Sequence, residues 1–275
     1  MSNSLKFTKM HGAGNDFIII NNVEEKRPIE GYGQIAKEVC RRKFSVGADG
    51  MIVVDKSDNA DFKMYFYNAD GSMGEMCGNG ARCIARYGYE HGFSGEIQRF
   101  ETTAGIITGW RIDQNTYRIQ LNSPSVEKED LEIEIDGITY TVDYAELGDP
   151  GIPHVAIQYD RLSSADDDEI RQLGRKIRYH QGFPKGANVN FYSMIDDKTV
   201  KEKTYERGVE DLTLACGTGS GTVAYMLVKK KRAAGNRVCV KTPGGDLHLE
   251  IVNGNQIFLE GATCNVAEGM IELSH

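Results

Sequence analysis

A mixed α/β fold is what this sequence predicts, and three observations predict it. Short β-branched and aromatic runs recur along the chain, four segments carry helical periodicity, and the plan Cys-Gly-x-Gly is written twice, at 77–80 and 216–219, each copy running into a helix-like segment. At the same separation as Cys77 and Cys216, Ala85 falls on Ala224, Thr103 on Thr242 and Gly105 on Gly244, so an internal duplication is the simplest reading.

In chain order, Phe17–Ile20, Met51–Val54, Lys63–Tyr67, Thr116–Leu121, Val155–Tyr159, Asn188–Tyr192 and Arg237–Lys241 predict strands, from alternation or from β-branched and aromatic content. Leu131–Val142 predicts a hairpin turning at Asp136-Gly137, a favoured two-residue turn. Helices are expected over Tyr32–Arg42, Ala81–His91, Asp166–Tyr179 and Gly221–Arg232. The segment at Asp166 begins with acids and ends in Arg175, Lys176 and Arg178, while that at Gly221 ends in Lys229–Arg232 before Gly235, as dipole and capping preferences require. The polar stretch Asn122–Asp130, which contains Pro124 and lies between the two tetrapeptides, is the expected domain boundary.

With 275 residues, 40% of them hydrophobic, the chain can fill two compact cores or one large one. A net charge of −8 argues against nucleic-acid and anionic-membrane partners and leaves a polar small molecule as the expected ligand. The apolar run Phe17–Ile20 is far too short for a signal-peptide core or a membrane span, so a cytoplasmic location is the default. Six cysteines, at 40, 77, 83, 216, 239 and 264, include no Cys-x-x-Cys pair, which weakens zinc-ribbon and thioredoxin readings and leaves reduced thiols. Six histidines, at 11, 91, 154, 180, 248 and 275, form no close pair, and no metal is assigned.

The duplicated loop carries the chemistry. Glycines let backbone approach a ligand, and the first turn of a helix offers unpaired N–H groups and a positive dipole end that suit a carboxylate. The same field favours thiolate over thiol, which moves a cysteine pKa from about 8.5 toward 7 or below. Two such cysteines facing one carbon could take a proton from one side and return one to the other, which is racemisation without a cofactor.

Lys9–Phe17 (KMHGAGNDF), Tyr67–Ser72 running into Met76–Arg82, Pro153-His154, Asn188, and Tyr205–Gly208 before Ala215–Gly219 together resemble the diaminopimelate epimerase family over nearly the whole chain. The resemblance implies two pseudosymmetric domains, each a β-structure wrapped around a central helix, with the active site in the cleft between them. It sets them at residues 1–121, with 264–275 returning to that domain, and 122–263. It implies a cofactor-independent two-base interconversion of L,L- and meso-diaminopimelate for lysine and cell-wall synthesis. Cys77 and Cys216 would be the acid/base pair, and the amides at Gly78, Asn79, Gly217 and Thr218 would hold the reacting carboxylate. Asn15, Asn68, Asn188, Glu206 and Arg207 would hold the far end of the substrate, with His154 beside the site. A homodimer is left open.

Other readings compete. Cys40, Cys83, Cys239 and Cys264 read as small buried hydrophobes, Asn15 and Asn68 also fit turns, Glu206-Arg207 also fits a solvated pair, and His154 also fits a core. Gly217-x-Gly219-x-Gly221 is a residue short of a dinucleotide loop. Two departures from the family pattern bear on substrate. Ile152 stands where the family commonly has an asparagine touching the distal end of diaminopimelate, and Val209–Leu214 is one residue longer than the common form. A racemase of another amino acid, for example histidine, is therefore the alternative on this scaffold. A thiol redox sensor and a non-catalytic amino-acid-binding protein are the alternatives of a different class.

Overall fold

The computed structural model describes residues 4–74 and 76–273. His275 and the ends expected for the N-terminal domain, 1–3 and 274–275, lie outside the described residues. The chain divides into two compact units, one taking in residues up to Ile119 together with those from Gly261 on, the other Gln120–Glu260.

In the first unit the strands are β1 (Ser4–Gly12), β2 (Asn15–Asn21), β3 (Gly50–Asp55), β4 (Phe62–Asn68), β5 (Met73–Gly74), β6 (Ile97–Thr102), β7 (Gly105–Arg111) and β8 (Thr116–Leu121), which crosses the unit boundary. Helix α1 is Asn22–Glu25, α2 Tyr32–Val39 and α3 Gly78–Glu90. β1 and β2 pair antiparallel, β2 and β3 parallel, β3 and β4 antiparallel, β4 and β6 parallel, and β6 and β7 antiparallel. Tyr32, Ala36 and Val39 of α2 pack into a core with Ile18, Ile20, Met51 and Val53, so the apolar stripe of a surface helix meets the buried side of parallel strands.

The second unit repeats this order. It holds β9 (Pro124–Ile135), β10 (Ile138–Leu147), β11 (Ile152–Gln158), β12 (Asn188–Met194), β13 (Thr199–Glu206), β14 (Asp211–Thr213), β15 (Arg237–Thr242) and β16 (Gly245–Val252), with helices α4 (Asp167–Arg178) and α5 (Gly217–Lys229). β10 pairs with β11 antiparallel, β11 with β12 parallel, β12 with β13 antiparallel, β13 with β15 parallel and β15 with β16 antiparallel. Ile170, Leu173 and Ile177, at helical spacing on α4, join Val155, Ile157, Val189 and Phe191 in its core. The last strand, β17 (Gln256–Glu272), begins in this unit, and its residues from Thr263 to Glu272 pair antiparallel with Gly12 back to Ser4 of β1.

Each unit wraps its strands around one helix. α3 packs against β1, β2 and β7, and α5 against β10, β11, β12, β15 and β16. Gly78 through Gly88 are all buried, and α5 is buried from Gly219 to Leu227. The expected helices at Ala81 and Gly221 begin earlier, at Gly78 and Gly217. Glycine is a poor helix former, but here it admits a neighbour: a Cβ on Gly219 would stand 2.0 Å from Asn190 Oδ1, and one on Gly221 2.9 Å from Leu121. The glycines after Cys216 thus serve packing as well as ligand approach.

The stretch Asn122–Asp130, expected as the domain boundary, is mostly strand, because β9 starts at Pro124 as an exposed segment whose partner β10 supplies the order that its own polarity hides. One expectation is corrected. The duplication shifts register past the helices. The β6–β7 turn is closed by Thr102 Oγ1 donating to Gly105 O at 2.8 Å, and the β15–β16 turn by Thr242 Oγ1 donating to Gly245 O at 2.7 Å. Thr242 therefore matches Thr102, not Thr103, because the link 230–236 after α5 is one residue longer than 91–96 after α3.

Candidate active site

Cys77 and Cys216 occupy the same structural position. Each is the N-cap of its unit's central helix, with extended backbone (φ −128°, ψ 121° and φ −118°, ψ 103°), and neither helix has a side-chain cap hydrogen bond. Each Cys carbonyl accepts the first intrahelical bond, from Ala81 N at 2.8 Å and Ser220 N at 2.9 Å. A cysteine at such a cap leaves the helix-start amides for another acceptor.

In the first unit, the β1–β2 hairpin turns at Ala13-Gly14, both at positive φ, and delivers Asn15 to the start of α3. Asn15 Oδ1 accepts from Cys77 Sγ and from Asn79 Nδ2, both at 3.3 Å, and its amide nitrogen donates to Asp49 at 2.7 Å. Asn68 is not brought into that group by these bonds. Its side chain donates to Ser72 Oγ at 2.9 Å in the turn that Gly71 closes at φ 88°. Arg82, one turn into α3, is fully buried at 0% exposure. It donates to Gly78 O at 3.2 Å and to Asn79 Oδ1 at 2.9 Å, and its Nε has no partner among the described residues.

In the second unit, Asn188 starts β12 beside His154 on β11. Its amide donates to Pro153 O at 3.2 Å and its oxygen accepts from Arg207 N at 2.8 Å, which fixes the Glu206-Arg207 turn. Arg207 also donates to Lys185 O at 3.2 Å. The longer Val209–Leu214 segment is absorbed by a turn in which Gly208 and Glu210 take φ 93° and 58° and Glu210 N donates to Glu206 O at 2.8 Å. Ile152 begins β11 half-buried, opposite Leu147.

His154 is fully buried, and burial reinforced by the charge of Arg207 pushes its pKa down to about 3, so the ring is neutral. Asn190 supports it. The amide nitrogen donates to Val155 O at 3.1 Å and meets His154 Nδ1 at 3.3 Å, while its oxygen accepts from Thr204 at 3.1 Å; that arrangement puts the imidazole proton on Nε2, which has no partner among the described residues. Glu202 on β13 is 1% exposed, takes a hydrogen bond from Ser220 Oγ with one carboxyl oxygen, and leaves Oε1 without a partner among the described residues.

The two thiols differ in burial, Cys77 being half-buried and Cys216 buried. Cys216 is 8% exposed, and burial followed by the charge of Glu206 pushes its thiol well up, against the smaller opposing pull of Thr218 Oγ1 at 3.6 Å and the Gly219 amide. The expectation that the helix start would move the cysteine pKa toward 7 or below is not met at Cys216, where burial outweighs the hydrogen bonds that favour the thiolate. Among the other cysteines, Cys40 and Cys83 are buried, but Cys239 is half-buried and Cys264 exposed, at odds with their reading as core hydrophobes. Arg82, Asn190, Glu202 and Ser220 were assigned no role from sequence. The alternation of β12 places Asn190 on the same strand face as Asn188, which was the available signal.

A model of the family described as diaminopimelate epimerase matches residues 7–127 and 148–265. Among curated relatives, a diaminopimelate epimerase of Archaeoglobus fulgidus is 38% identical, the match covering 98% of this chain and 97% of that one. A diaminopimelate epimerase of Hydrogenobaculum sp. is 40% identical over 96% of this chain and 97% of its own. Among solved structures, a PhzF-family phenazine biosynthesis protein of Bacillus anthracis superposes with TM-score 0.75 at 14% identity, covering 97% of this chain and 98% of its own. A hydroxyproline epimerase from Agrobacterium vitis, with bound trans-4-hydroxy-L-proline, superposes with TM-score 0.73 at 14% identity over 99% and 94%. These two share the fold.

Proposed function

The chain belongs to the diaminopimelate epimerase family, and from that premise we propose that this isomerase converts L,L-diaminopimelate to the meso isomer, with Cys77 and Cys216 as the acid/base pair. The observation that carries the proposal is the matched pair of cysteine N-caps at the heads of the two buried helices. One sulfur, as thiolate, takes the α-proton, and the resulting carbanion takes a proton from the other, as thiol. Each turnover therefore leaves the pair with its roles exchanged, and the two titrations are coupled. The carboxylate of the reacting centre would lie on the amides of Gly78, Asn79, Gly217 and Thr218, which stabilise the charge that builds up as the proton leaves. Asn15, Asn68, Asn188, Glu206 and Arg207 would receive the rest of the substrate, Arg207 gripping a carboxylate with both arms of its guanidinium. His154 would stand beside the site as a neutral ring. The two compact units would be the two epimerase domains. No cofactor takes part, the enzyme works in the cytoplasm where thiols stay reduced, and a homodimer is the assembly to test by light scattering.

The test is solvent deuterium wash-in at the α-carbon, screened over diaminopimelate isomers and L-amino acids. Wild type should exchange diaminopimelate. Cys77→Ser and Cys216→Ser should each lose several orders of magnitude, about the range for a lost acid/base group, with unchanged circular dichroism. Near-normal turnover in either variant overturns the two-base assignment. One observation favours a second reading, racemisation of another amino acid: Ile152 offers no hydrogen bond at the start of β11. Exchange of a different amino acid with none of diaminopimelate would establish it.

A further inference from the structure

Four side chains of the first unit pass hydrogen bonds in one direction, from the core to the surface. Arg82, 0% exposed, donates from Nη2 to Asn79 Oδ1 at 2.9 Å. Asn79, 2% exposed, donates from Nδ2 to Asn15 Oδ1 at 3.3 Å, and Asn15 donates from Nδ2 to Asp49 Oδ2 at 2.7 Å. The last acceptor is held in its turn. Arg42 Nη2 donates to Asp49 Oδ1 at 2.9 Å and to Asp16 Oδ1 at 2.6 Å, and the backbone amide of Asp49 donates to Asp16 Oδ1 at 2.9 Å. An asparagine amide by itself can be turned over with little change of shape, exchanging its donor and acceptor ends. The ends of this relay forbid that. A guanidinium only donates and an ion-paired carboxylate only accepts, so with Arg82 at one end and Asp49 at the other, both amides have a single orientation in which all three bonds are made. That orientation points the Asn15 oxygen at Cys77 Sγ, 3.3 Å away. In the second unit the positions matching Asn79 and Arg82, counted from the cysteine, hold Thr218 and Gly221, so the relay is not repeated from them.

We propose that Asp49 and Arg82 are positioning residues for Cys77: from the two ends of this relay they lock the amides of Asn15 and Asn79 in one orientation and keep the Asn15 oxygen on the sulfur. Neither is asked to touch substrate. Arg42 serves by orienting Asp49, and the β1–β2 hairpin that carries Asn15 is thereby tied both to the loop before β3 and to the first turn of α3. The inference rests on the two-cysteine reading for its effect on turnover, but the relay itself is measurable without turnover.

The test is Asp49→Asn, which keeps the shape of the side chain but makes one of its two ends a donor, so that it cannot accept from Arg42 and from Asn15 together. Nuclear magnetic resonance of the side-chain amides, in protein carrying isotope-labelled asparagine, reads the relay directly. In Asp49→Asn the resonances of both Asn15 and Asn79 should move, although Asn79 is reached from Asp49 through Asn15. At the buried end Arg82→Gln, which can accept as well as donate, should move the Asn15 resonance from the other side. Exchange of deuterium at the α-carbon of diaminopimelate by Asp49→Asn should fall about tenfold to a hundredfold, the scale for a catalytic group slightly displaced. The urea midpoint should barely change, because Arg42 and Asp49 are 56% and 45% exposed and such a pair adds little to stability. Asp49→Glu keeps an acceptor-only end on a longer side chain and should retain more exchange than Asp49→Asn; a role in packing alone requires the reverse, since asparagine is the closer fit. An Asn79 resonance unmoved in Asp49→Asn, exchange by that variant at the wild-type rate, or better exchange by it than by Asp49→Glu overturns the proposal. Should Asp49→Asn fail to fold, Arg42→Met, at an exposed position, unties the same carboxylate and is read in the same way. Coupled resonances with no exchange by wild type would sink the epimerase assignment alone, and exchange with uncoupled amides would sink only the relay.

Discussion

His154 shows how much a single buried side chain is asked to do without a charge. Its ordinary pKa of 6.5 is drawn to about 3 in the folded chain, so as acid is added the unfolded chain takes up the proton first. Stability held above pH 6.5 should therefore be lost as pH falls from 6.5 toward 3, by up to about 1.4 kcal/mol per pH unit. Urea midpoints measured at neutral and mildly acid pH should show this loss in wild type and much less of it in His154→Gln. Parallel falls in the two proteins would mean that His154 is protonated in the native state. Ile152 is the other residue whose chemistry is exposed to a simple measurement. If diaminopimelate is the substrate, Ile152→Asn should leave its turnover similar or raise it, by as much as tenfold or so for one restored bond to a charged group; loss of activity on the native substrate would point to a pocket shaped for an apolar side chain. Cys77, Cys216, Asn15 and Arg207 stood out as candidates because each sits in a short motif. Glu202, Ser220 and Arg82 did not, since a charged or hydroxyl side chain in sequence reads as surface until the fold shows it under a helix.

At the scale of elements, the clearest sequence signals were those written by local backbone chemistry. Asp136 and Gly137 turn the β9–β10 hairpin with φ 53° and 78°, the two positive angles of the primed turn. Asp166 caps α4 by accepting from Asp168 N at 3.0 Å, three acids follow in the first turn, and three basic residues close the last. Asp166→Ala should lower stability by about 1 kcal/mol, read as a shift of the denaturant midpoint, with epimerisation unaltered because α4 carries no site residue. Strands β1, β13, β16 and β17 escaped notice for the converse reason. The pairing of β1 with β17 joins opposite ends of the chain, and segments such as Thr199–Glu206 alternate lysine and glutamate as a solvated loop would, although Glu202 and Thr204 point inward. Helix starts at Gly78 and Gly217 were hidden by glycine's poor propensity, which close packing overrides. Gly219→Ala tests this, since its Cβ would fall 2.0 Å from Asn190 Oδ1. It should lower both stability and turnover, because the clash pushes against the side chain that holds His154; an unperturbed variant would show that α5 can shift without consequence.

At the scale of the whole chain, the duplication was visible in one tetrapeptide and was far more complete than the sequence conveyed, with the same run of parallel and antiparallel pairings in each unit. Side-chain identity had diverged where backbone geometry had not, so only the residues that chemistry constrains kept the record. The placement of β17 has a consequence for how the polypeptide comes into being. Its residues from Thr263 to Glu272 flank β1 at the opposite end of the chain. During synthesis, everything needed for the unit spanning Gln120–Glu260 leaves the ribosome before the strand that completes the unit made first. The earlier-made half must therefore wait with one side of β1 uncovered, an exposed edge prone to pairing with other chains. A nascent chain halted after Glu260 should yield a protease-resistant fragment from the later-made unit and a sensitive, aggregation-prone remainder, whereas release of β17 should protect both; equal resistance of the two halves in the halted chain would show that β1 does not depend on its late partner.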